Sequence, residues 1–479
     1  MSSRNDKTEA AIIGGGASGL ACAIMLKRLR PDISVTVYEK LSNIGKKILA
    51  TGNGRCNLSN TYIATDCYNG DNKIIDLILN NFGTEACLKF FSSMGLLITS
   101  EDGRIYPMSM HSSSVLQALK AECDHLNVVF RTDCQVKSIR IIGDANADSG
   151  MSNGTNSIDN RFLINDTFYS DICILALGGK AAAMHGTDGE GYKLLRSLGI
   201  RYEPIHPALT QIRTDDDTEI VKRLKGIRVR GTLTLLDACG CALQKDSGEI
   251  LFTDYGVSGI PSMQISGVAA QLCTLSSNQA DQSDKSEKTA AKPVMKIDLC
   301  PALRESELLE YICERIRTNP NLAVDQLLSG IMNITLASVI TDVALDKNVL
   351  SGRFKKQIAE NQSTKCQSGK CQGSDTAGKD FCKEIPASML KEDDIQKIAR
   401  TVKEFTLTVT GTNGYKDAQV TGGGVGSDEL KPDSLQSKSV PGLFICGELL
   451  NADGLCGGYN LHFAWGSGIQ AAKEVAALC

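Results

Sequence analysis

Ala10-Ala11-Ile12-Ile13-Gly14-Gly15-Gly16-Ala17-Ser18-Gly19-Leu20 is the stretch that decides how this chain folds. The apolar run reads as a buried strand, the glycines as a turn, and Leu20 to Leu29 as a helix. Ile33 to Tyr38 reads as a second strand, closed by Glu39. Each residue type has a task. Gly14 permits the tight turn, Gly16 lets backbone N–H groups approach a pyrophosphate, and Gly19 lets the helix pack closely on the strand. The helix N-terminus then faces the phosphates with its unpaired N–H groups and positive dipole end. Glu39 can accept the hydroxyl hydrogens of an adenosine ribose, and an acid there disfavours a ribose that carries a 2′-phosphate. The order strand, glycine turn, helix, strand, acid predicts a dinucleotide site.

Outward from that unit, 479 residues suffice for a large core and two or three domains. The net charge of −4 and the absence of a Lys/Arg-rich stripe give no field for nucleic acid, which is not expected as a partner. Met1 to Glu9 is polar and charged, and reads as neither a signal nor a transit peptide. No apolar run approaches the roughly 20 residues of a membrane helix, so no membrane insertion is expected. These features together predict a cytoplasmic protein. The 18 cysteines read as reduced, small apolar residues (Cys22, Cys87, Cys173, Cys273, Cys446). No C-x-x-C occurs; the nearest spacings are Cys239-Gly240-Cys241 and Cys366 with Cys371, and no metal site is expected.

The stretch from Ile44 to Asn60 is rich in glycine, amide and basic groups, a composition suited either to a loop wrapping a polar ligand or to a solvated surface loop. Within it, Gly45-Lys46-Lys47 and Thr51-Gly52-Asn53-Gly54-Arg55-Cys56-Asn57, taken with Gly14 to Gly19, carry a family resemblance. The chain resembles the FAD flavoproteins that include aminoacetone oxidases and the 3-dehydro-bile acid reductases of gut anaerobes. Leu251 to Gly259, Val420-Thr421-Gly422-Gly423-Gly424-Val425, and Cys446-Gly447-Glu448 continuing to Gly457-Gly458-Tyr459-Asn460-Leu461 extend it in the family's order over nearly the whole chain. One departure is Asp254, where the family usually has histidine, so no proton-donor role is carried over to that position.

The resemblance implies tightly bound FAD, with NADH or NADPH visiting as a transient hydride donor. The residues taken to hold FAD are Gly14, Gly16, Ala17, Ser18, Gly19, Glu39 and Lys40 of the first unit, then Lys46, Lys47, Asn53, Gly54, Arg55, Cys56 and Asn57 of the loop. Val136, Gly178, Gly447, Glu448, Gly458, Asn460 and Leu461 complete the set. Leu443 to Cys446 reads as a strand whose closing Gly447-Glu448 reaches the ribityl chain or a phosphate water. Gly457 and Gly458 open a helix from Leu461 to Ala477, whose N-terminus would stabilise the anion formed at the pyrimidine edge of the reduced flavin.

Between these ends, helical patterns run from Ile74 to Leu97, Ser113 to Cys123, Glu305 to Thr318 and Leu322 to Ala344. Strands are expected at Val128 to Phe130, Cys134 to Val136, Ile172 to Leu177, Ile227 to Leu236, Glu249 to Thr253 and Phe405 to Val409. Polar stretches at 143–160, 276–290 and 363–379 read as solvated segments without chemistry. Gly422 to Gly426 has no helical pattern after it and is not read as a second dinucleotide turn. The expected fold is α/β: a Rossmann-like, glutathione-reductase-like FAD-binding domain in two segments, 1–198 and 412–479. An antiparallel β-barrel and helical domain that covers substrate is inserted at 199–411.

For function, the resemblance points to an enone reductase acting on a small apolar substrate, a 3-oxo steroid such as a 3-dehydro-Δ4,6 bile acid. The alternatives are a flavin amine oxidase and a flavin-binding redox sensor without turnover. Reduction of an enone needs a proton donor opposite the flavin, and Tyr255, Tyr459 and His462 are the hydroxyl and imidazole groups that the motifs put forward. The sequence leaves the oligomeric state open.

Overall fold

The computed structural model describes residues 7–143, 160–215, 219–282, 292–345, 350, 353 and 385–479. The polar stretches expected at 143–160 and 363–379, with Cys366 and Cys371 in the latter, and the part 283–290 of the stretch expected at 276–290, lie wholly or almost wholly outside the described residues. Residues 276–282, expected as linker, are the last turns of the helix Ile260–Gln282.

In chain order, the first segment supplies β1 (Glu9–Ile13), α1 (Ala17–Leu29), β2 (Ser34–Tyr38), α2 (Lys46–Ala50), β3 (Val129–Arg131), β4 (Ile172–Leu175) and β5 (Glu203–Ala208). The middle supplies β6 (Ile212–Thr214), β7 (Arg228–Leu236), β8 (Ala242–Phe252), β9 (Gly256–Ser258), β10 (Val294–Asp298) and β11 (Phe405–Thr412). The last segment supplies β12 (Val420–Gly424), β13 (Leu443–Ile445), β14 (Ala452–Gly454) and α3 (Tyr459–Leu478). Two compact units result: Met1–Leu209 with Gly414–Cys479, and Thr210–Asn413. Residues 199–209, expected in the insert, belong to the first unit because β5 pairs with β12, His206 opposite Gly422.

In the first unit a five-stranded parallel sheet has the order β13-β4-β1-β2-β3. These strands are apolar because both faces are covered: Ile12, Ile13, Val37, Ile174 and Phe444 are almost inaccessible to solvent. The chain order reverses on either side of β1, so the carboxyl ends of β1, β2, β4 and β13 border a crevice at a topological switch point. α1 carries Lys27 and Arg28 in its last turn, where cations complement the dipole. It packs on α3 so closely that a Cβ at Gly468 would strike the carbonyl of Ser18.

The second unit contains a closed antiparallel barrel of order β6-β9-β8-β7-β10-β11. Its strands alternate: in β11, Phe405, Leu407 and Val409 are buried while Thr406 and Thr410 face out. Phe252 and Phe405 meet edge to face at 6.3 Å inside.

Several local expectations are corrected. The helix expected over Ile74 to Leu97 is two, Asn72–Asn81 and Thr84–Ser92, because the chain leaves helical geometry at Phe82 and restarts from Gly83. The helix expected over Leu322 to Ala344 holds only Ile334–Ala344, started by the Asn333 side chain accepting from Thr335 N–H, with a 3-10 turn at Val324–Gln326 before it. Cys134 to Val136 is not a strand: Cys134 N–H is spent on the Glu39 carbonyl and the Gln135 carbonyl on the Asn165 side chain. Residues 427–446, after the Gly422–Gly426 run, hold no helix, as expected. Among the described residues no helix is long and apolar enough to cross a membrane.

Candidate functional site

The turn after β1 is built as the glycines require. Gly14 has φ +112°, and a Cβ there would collide with the Ala176 carbonyl beside the end of β4. A Cβ at Gly19 would strike the Gly14 carbonyl. Gly16 is different. Its backbone is extended (φ −85°, ψ −164°), which any residue adopts, and no protein atom lies within 4 Å of where its Cβ would be. It caps α1 without a side-chain partner, and the first turn of the helix holds no acid, so the open space faces unpaired N–H groups and an uncompensated dipole. Gly45 N–H donates to the Gly15 carbonyl at 2.8 Å, which starts the helix carrying Lys46 and Lys47 beside the turn; burial, then Lys47 and Lys46, lower the pKa of His185. Space, N–H donors and cations together fit a pyrophosphate.

Next to it lies a cleft, open on one side, bordered by Gly14, Glu39, Lys40, Val136, Thr187 and Glu190 among others. Glu39 has a task the sequence did not reveal: Oε2 accepts from Gly15 N–H at 3.0 Å and Oε1 from Leu41 N–H at 2.9 Å, so the acid braces the turn. Each carboxylate oxygen keeps a further lone pair for a ribose hydroxyl. Lys40 Nζ lies 3.2 Å from Glu190 and 3.5 Å from Asp188, and Gln135 Nε2 donates to the same Glu190, which fixes the cleft's polar wall. The cleft has the polar wall and the braced acid of an adenosine site.

The ends of β4 and β13 form a second corner. Glu448 accepts from Lys47 Nζ at 2.9 Å and from Thr421 N–H at 2.8 Å, and a Cβ at Gly179 would come within 2.8 Å of its Oε1. Gly178 (φ +72°) and Gly447 (φ +71°) take backbone geometry that favours glycine, and a Cβ at Gly447 would meet Ser18 Oγ at 2.5 Å. Thr421 also accepts N–H bonds from Lys180 and Ala181 through Oγ1. Thr187 and Thr421 are not among the expected site residues, although Thr421 lies in the stretch Val420 to Val425 that carries the resemblance.

The third part is the start of α3. Gly458 caps it in the left-handed region (φ +100°), where a Cβ would collide with the Ser59 carbonyl and lie 2.6 Å from Asn57 Oδ1. Asn57 Oδ1 is buried and has no hydrogen-bond partner, a state that costs about 1–3 kcal/mol unless a ligand relieves it. The side chain of Asn460 clasps Gly454, accepting from its N–H at 2.9 Å and donating to its carbonyl at 2.6 Å, and Leu461 is half-buried beside it. In the preceding loop Gly52, Asn53, Gly54 and Cys56 all have positive φ, between 55° and 82°. For the buried Cys56 this is strained, the kind of backbone a functional loop retains. Arg55 lies over the Tyr106 ring at 4.8 Å and pairs with Glu101 at 3.3 Å. An uncapped helix start, an orphaned acceptor and a strained loop fit the polar edge of a flavin, so the three parts as a set fit FAD.

The proton-donor candidates fare differently. His462 is fully buried; it accepts from Ser59 Oγ at Nδ1 and donates from Nε2 to the Phe82 carbonyl, both at 2.8 Å. Burial pushes its pKa down to about 4. It is a core residue tying α3 to the helix Asn72–Asn81, with both ring nitrogens occupied, and not the proton donor that the motifs put forward. Tyr459 packs edge to face on Tyr68 at 5.9 Å with its phenol engaged by Cys67; burial, then Cys67 and Asp66, raise it to about 12. Tyr255 lies in the second unit under the Arg213 guanidinium, 5.5 Å from its ring centroid, with Lys225 holding the neighbouring Asp254 at 2.6 Å. Two titratable residues were missed, His206 and Asp453, both nearly inaccessible to solvent. Among the described residues no group of three or more His, Cys, Asp or Glu is arranged to hold a metal ion.

Residues 8–474 match the family described as HI0933-like protein Rossmann domain. The chain is 33% identical over 469 residues, 97% of its length and 98% of the relative's, to a 3-dehydro-bile acid delta(4,6)-reductase of Clostridium scindens. It is 24% identical over 474 residues, 98% of each chain, to a ribosomal RNA dihydrouridine synthase of Haemophilus influenzae. Among solved structures, a quinol fumarate reductase of E. coli aligns over 98% of this chain and 70% of its own, at 13% identity and a TM-score of 0.42.

Proposed function

Since the chain belongs to the HI0933-like family of FAD-binding Rossmann proteins and is an FAD-dependent oxidoreductase, we propose that it reduces a carbon–carbon double bond conjugated to a carbonyl, with NADH or NADPH as donor. The substrate class is a 3-oxo steroid, a 3-dehydro-Δ4,6 bile acid foremost. The observation that carries this reading is the relative at 33% identity over nearly all of both chains, whose named reaction removes such double bonds. The dihydrouridine synthase adds support of a chemical kind. Dihydrouridine is uridine saturated at the double bond conjugated to its C4 carbonyl, so the two named reactions share one bond type.

FAD held in the cradle supplies two-electron transfer between the nicotinamide and the conjugated double bond. The chain's own residues set the conditions. Gly16 and the start of α1 hold the pyrophosphate, with Lys46 and Lys47 as counter-charges. Glu39 braces the turn and takes the ribose. Glu448, fixed by Lys47 and Thr421, holds the corner where the ribityl chain is expected. Asn57 and the start of α3 meet the polar edge of the ring system, where an N-terminal dipole favours the negative charge of the reduced state. The protein is expected to work in a reducing cytoplasm, and none of its described cysteines is in a disulfide.

Anaerobic spectra test the reading. NADH or NADPH should bleach the flavin, and a 3-oxo-Δ4,6 steroid should restore its colour. A small amine that bleaches the oxidised flavin, followed by reoxidation only by oxygen, would make the protein an amine oxidase. Restoration by ribosomal RNA but by no steroid would keep the bond type and replace the substrate.

A further inference from the structure

His206 on β5 stands opposite Gly422 of β12. A Cβ at Gly422 would collide with His206 Nε2 and come within 2.9 Å of Asp453 Oδ1. The imidazole and the carboxylate therefore share the space that one missing side chain leaves, over bare backbone. His206 Nδ1 faces the Pro204 carbonyl at 3.5 Å, which turns Nε2 toward Gly422. Asp453 Oδ2 accepts from Asn69 Nδ2 at 3.1 Å.

The pair lies between two parts of the cofactor site. Thr421, the residue before Gly422, gives its N–H to Glu448, and Gly454, the residue after Asp453, is clasped by Asn460 in the first turn of α3. The other titratable or charged groups nearby are Glu448 with its partner Lys47, Glu203 opposite Gly424, and Cys456, which packs on Ala208, Leu209 and Val420. Burial lowers the imidazole's pKa and raises that of Asp453 to about 6, with Glu448 pushing the latter the same way. Each charge is costly alone, and an imidazole and a carboxylate that converge on the space beside Gly422 can relieve both costs by sharing one proton.

We propose that His206 and Asp453 are the proton store for the second half-reaction, with Asp453 as a positioning residue that keeps the imidazole charged. This rests on the enone-reductase reading above. The C=C π bond opens as hydride joins the β-carbon, and the displaced electron pair, delocalised onto the carbonyl oxygen, takes a proton at the α-carbon. That proton leaves His206 Nε2, the imidazole becomes neutral, and solvent refills it. The flavin ends oxidised and the ketone saturated, so electrons and protons balance.

Two measurements decide it. In the oxidised, FAD-loaded protein the His206 ring resonance should titrate in NMR, and in Asp453→Asn its midpoint should fall by about one pH unit or more, since an opposite charge at such range shifts a pKa by roughly 1–3 units. A His206 midpoint unchanged in Asp453→Asn overturns the pair, whatever the protein's substrate. In anaerobic stopped flow, His206→Gln should slow reoxidation by enone about 10²- to 10⁴-fold while reduction by NADH is nearly unchanged. Asp453→Asn should move the pH profile of reoxidation to lower pH, and Asp453→Glu should restore it. Parental rate and profile in His206→Gln overturn the proton store. If no enone reoxidises the parent protein, the enone-reductase reading falls, and with it the use assigned to the proton, while the NMR titration still judges the pair.

Discussion

Gly14–Gly16 and Gly422–Gly424 are both glycine runs in the same unit, and what surrounds them differs. At Gly422 the absent side chain makes room for the protein's own His206 and Asp453. At Gly423 and Gly424, with φ of +79° and +129°, it also spares collisions with the Pro204 carbonyl and with the backbone of Leu449 and Leu450. Gly14 belongs to this kind too, since its strain and its neighbour at Ala176 are internal. Of the six glycines in these two runs, Gly16 alone leaves space that no part of the chain fills, at the bare end of a helix. Glycine required by the protein's own packing marks architecture, whereas glycine that the protein's packing does not require, placed at a helix start, marks a ligand.

The largest effect is expected where packing and backbone both demand glycine. Gly14→Ala adds left-handed strain, about 1–3 kcal/mol, to a collision with backbone that costs about 1–3 kcal/mol more. Urea unfolding should show a loss of roughly 2–6 kcal/mol, a large part of the 5–15 kcal/mol typical of a folded protein. A loss below about 1 kcal/mol would mean that the turn relaxes freely and that this side of the comparison is drawn wrongly.

The same contrast explains what could be read in the sequence. Gly14, Gly16, Gly19 and Glu39 were legible because strand, turn, helix and acid follow one another within about thirty residues and each type has one physical use. Lys47 and Glu448 were each singled out, but not as partners 2.9 Å apart, since 400 residues separate them. His206, Gly422 and Asp453 meet from three distant strands, so no local spacing announces them. The first half of β8, Ala242 to Gly248, was missed because barrel strands there face solvent and carry little apolar signal. The break at Phe82–Gly83 was missed because apolar spacing continues across it, and His462 then uses the freed Phe82 carbonyl.

A smaller effect tests whether Asp453 is held inside as the Gly422 site requires. Its folded pKa, about 6, lies above the unfolded value, so its stabilising contribution is complete at low pH and is lost as pH rises through 6. His462 has the opposite sign: with a folded pKa of about 4, its contribution is complete above the unfolded value and is lost as pH falls through 4. Between these two values the slopes oppose each other, each at most about 1.4 kcal/mol per pH unit. Asp453→Asn should make stability rise more steeply with pH in that window, and His462→Gln should make it rise less steeply or fall. Urea midpoints of the three proteins measured across the window check this; parallel curves would place both groups in contact with water.

The smallest change in stability, and the sharpest test of the comparison, is expected at Gly16. Alanine meets no protein atom there and needs no unusual φ. By restricting the unfolded chain it should leave the apoprotein unchanged or more stable by about 0.4–1 kcal/mol. The new methyl group instead occupies the open space before the first N–H groups of α1, where the pyrophosphate must approach. Loss of one charge-assisted hydrogen bond of about 1.5–3 kcal/mol corresponds to roughly a 10- to 100-fold weaker Kd for FAD. Calorimetric titration of apoprotein with FAD, set beside urea unfolding of the same Gly16→Ala sample, separates the two quantities. Unchanged affinity would empty the cradle of its assigned ligand. A loss of several kcal/mol in the apoprotein would show that Gly16 is architectural like Gly14 and Gly422, and the distinction between the two glycine runs would then fail.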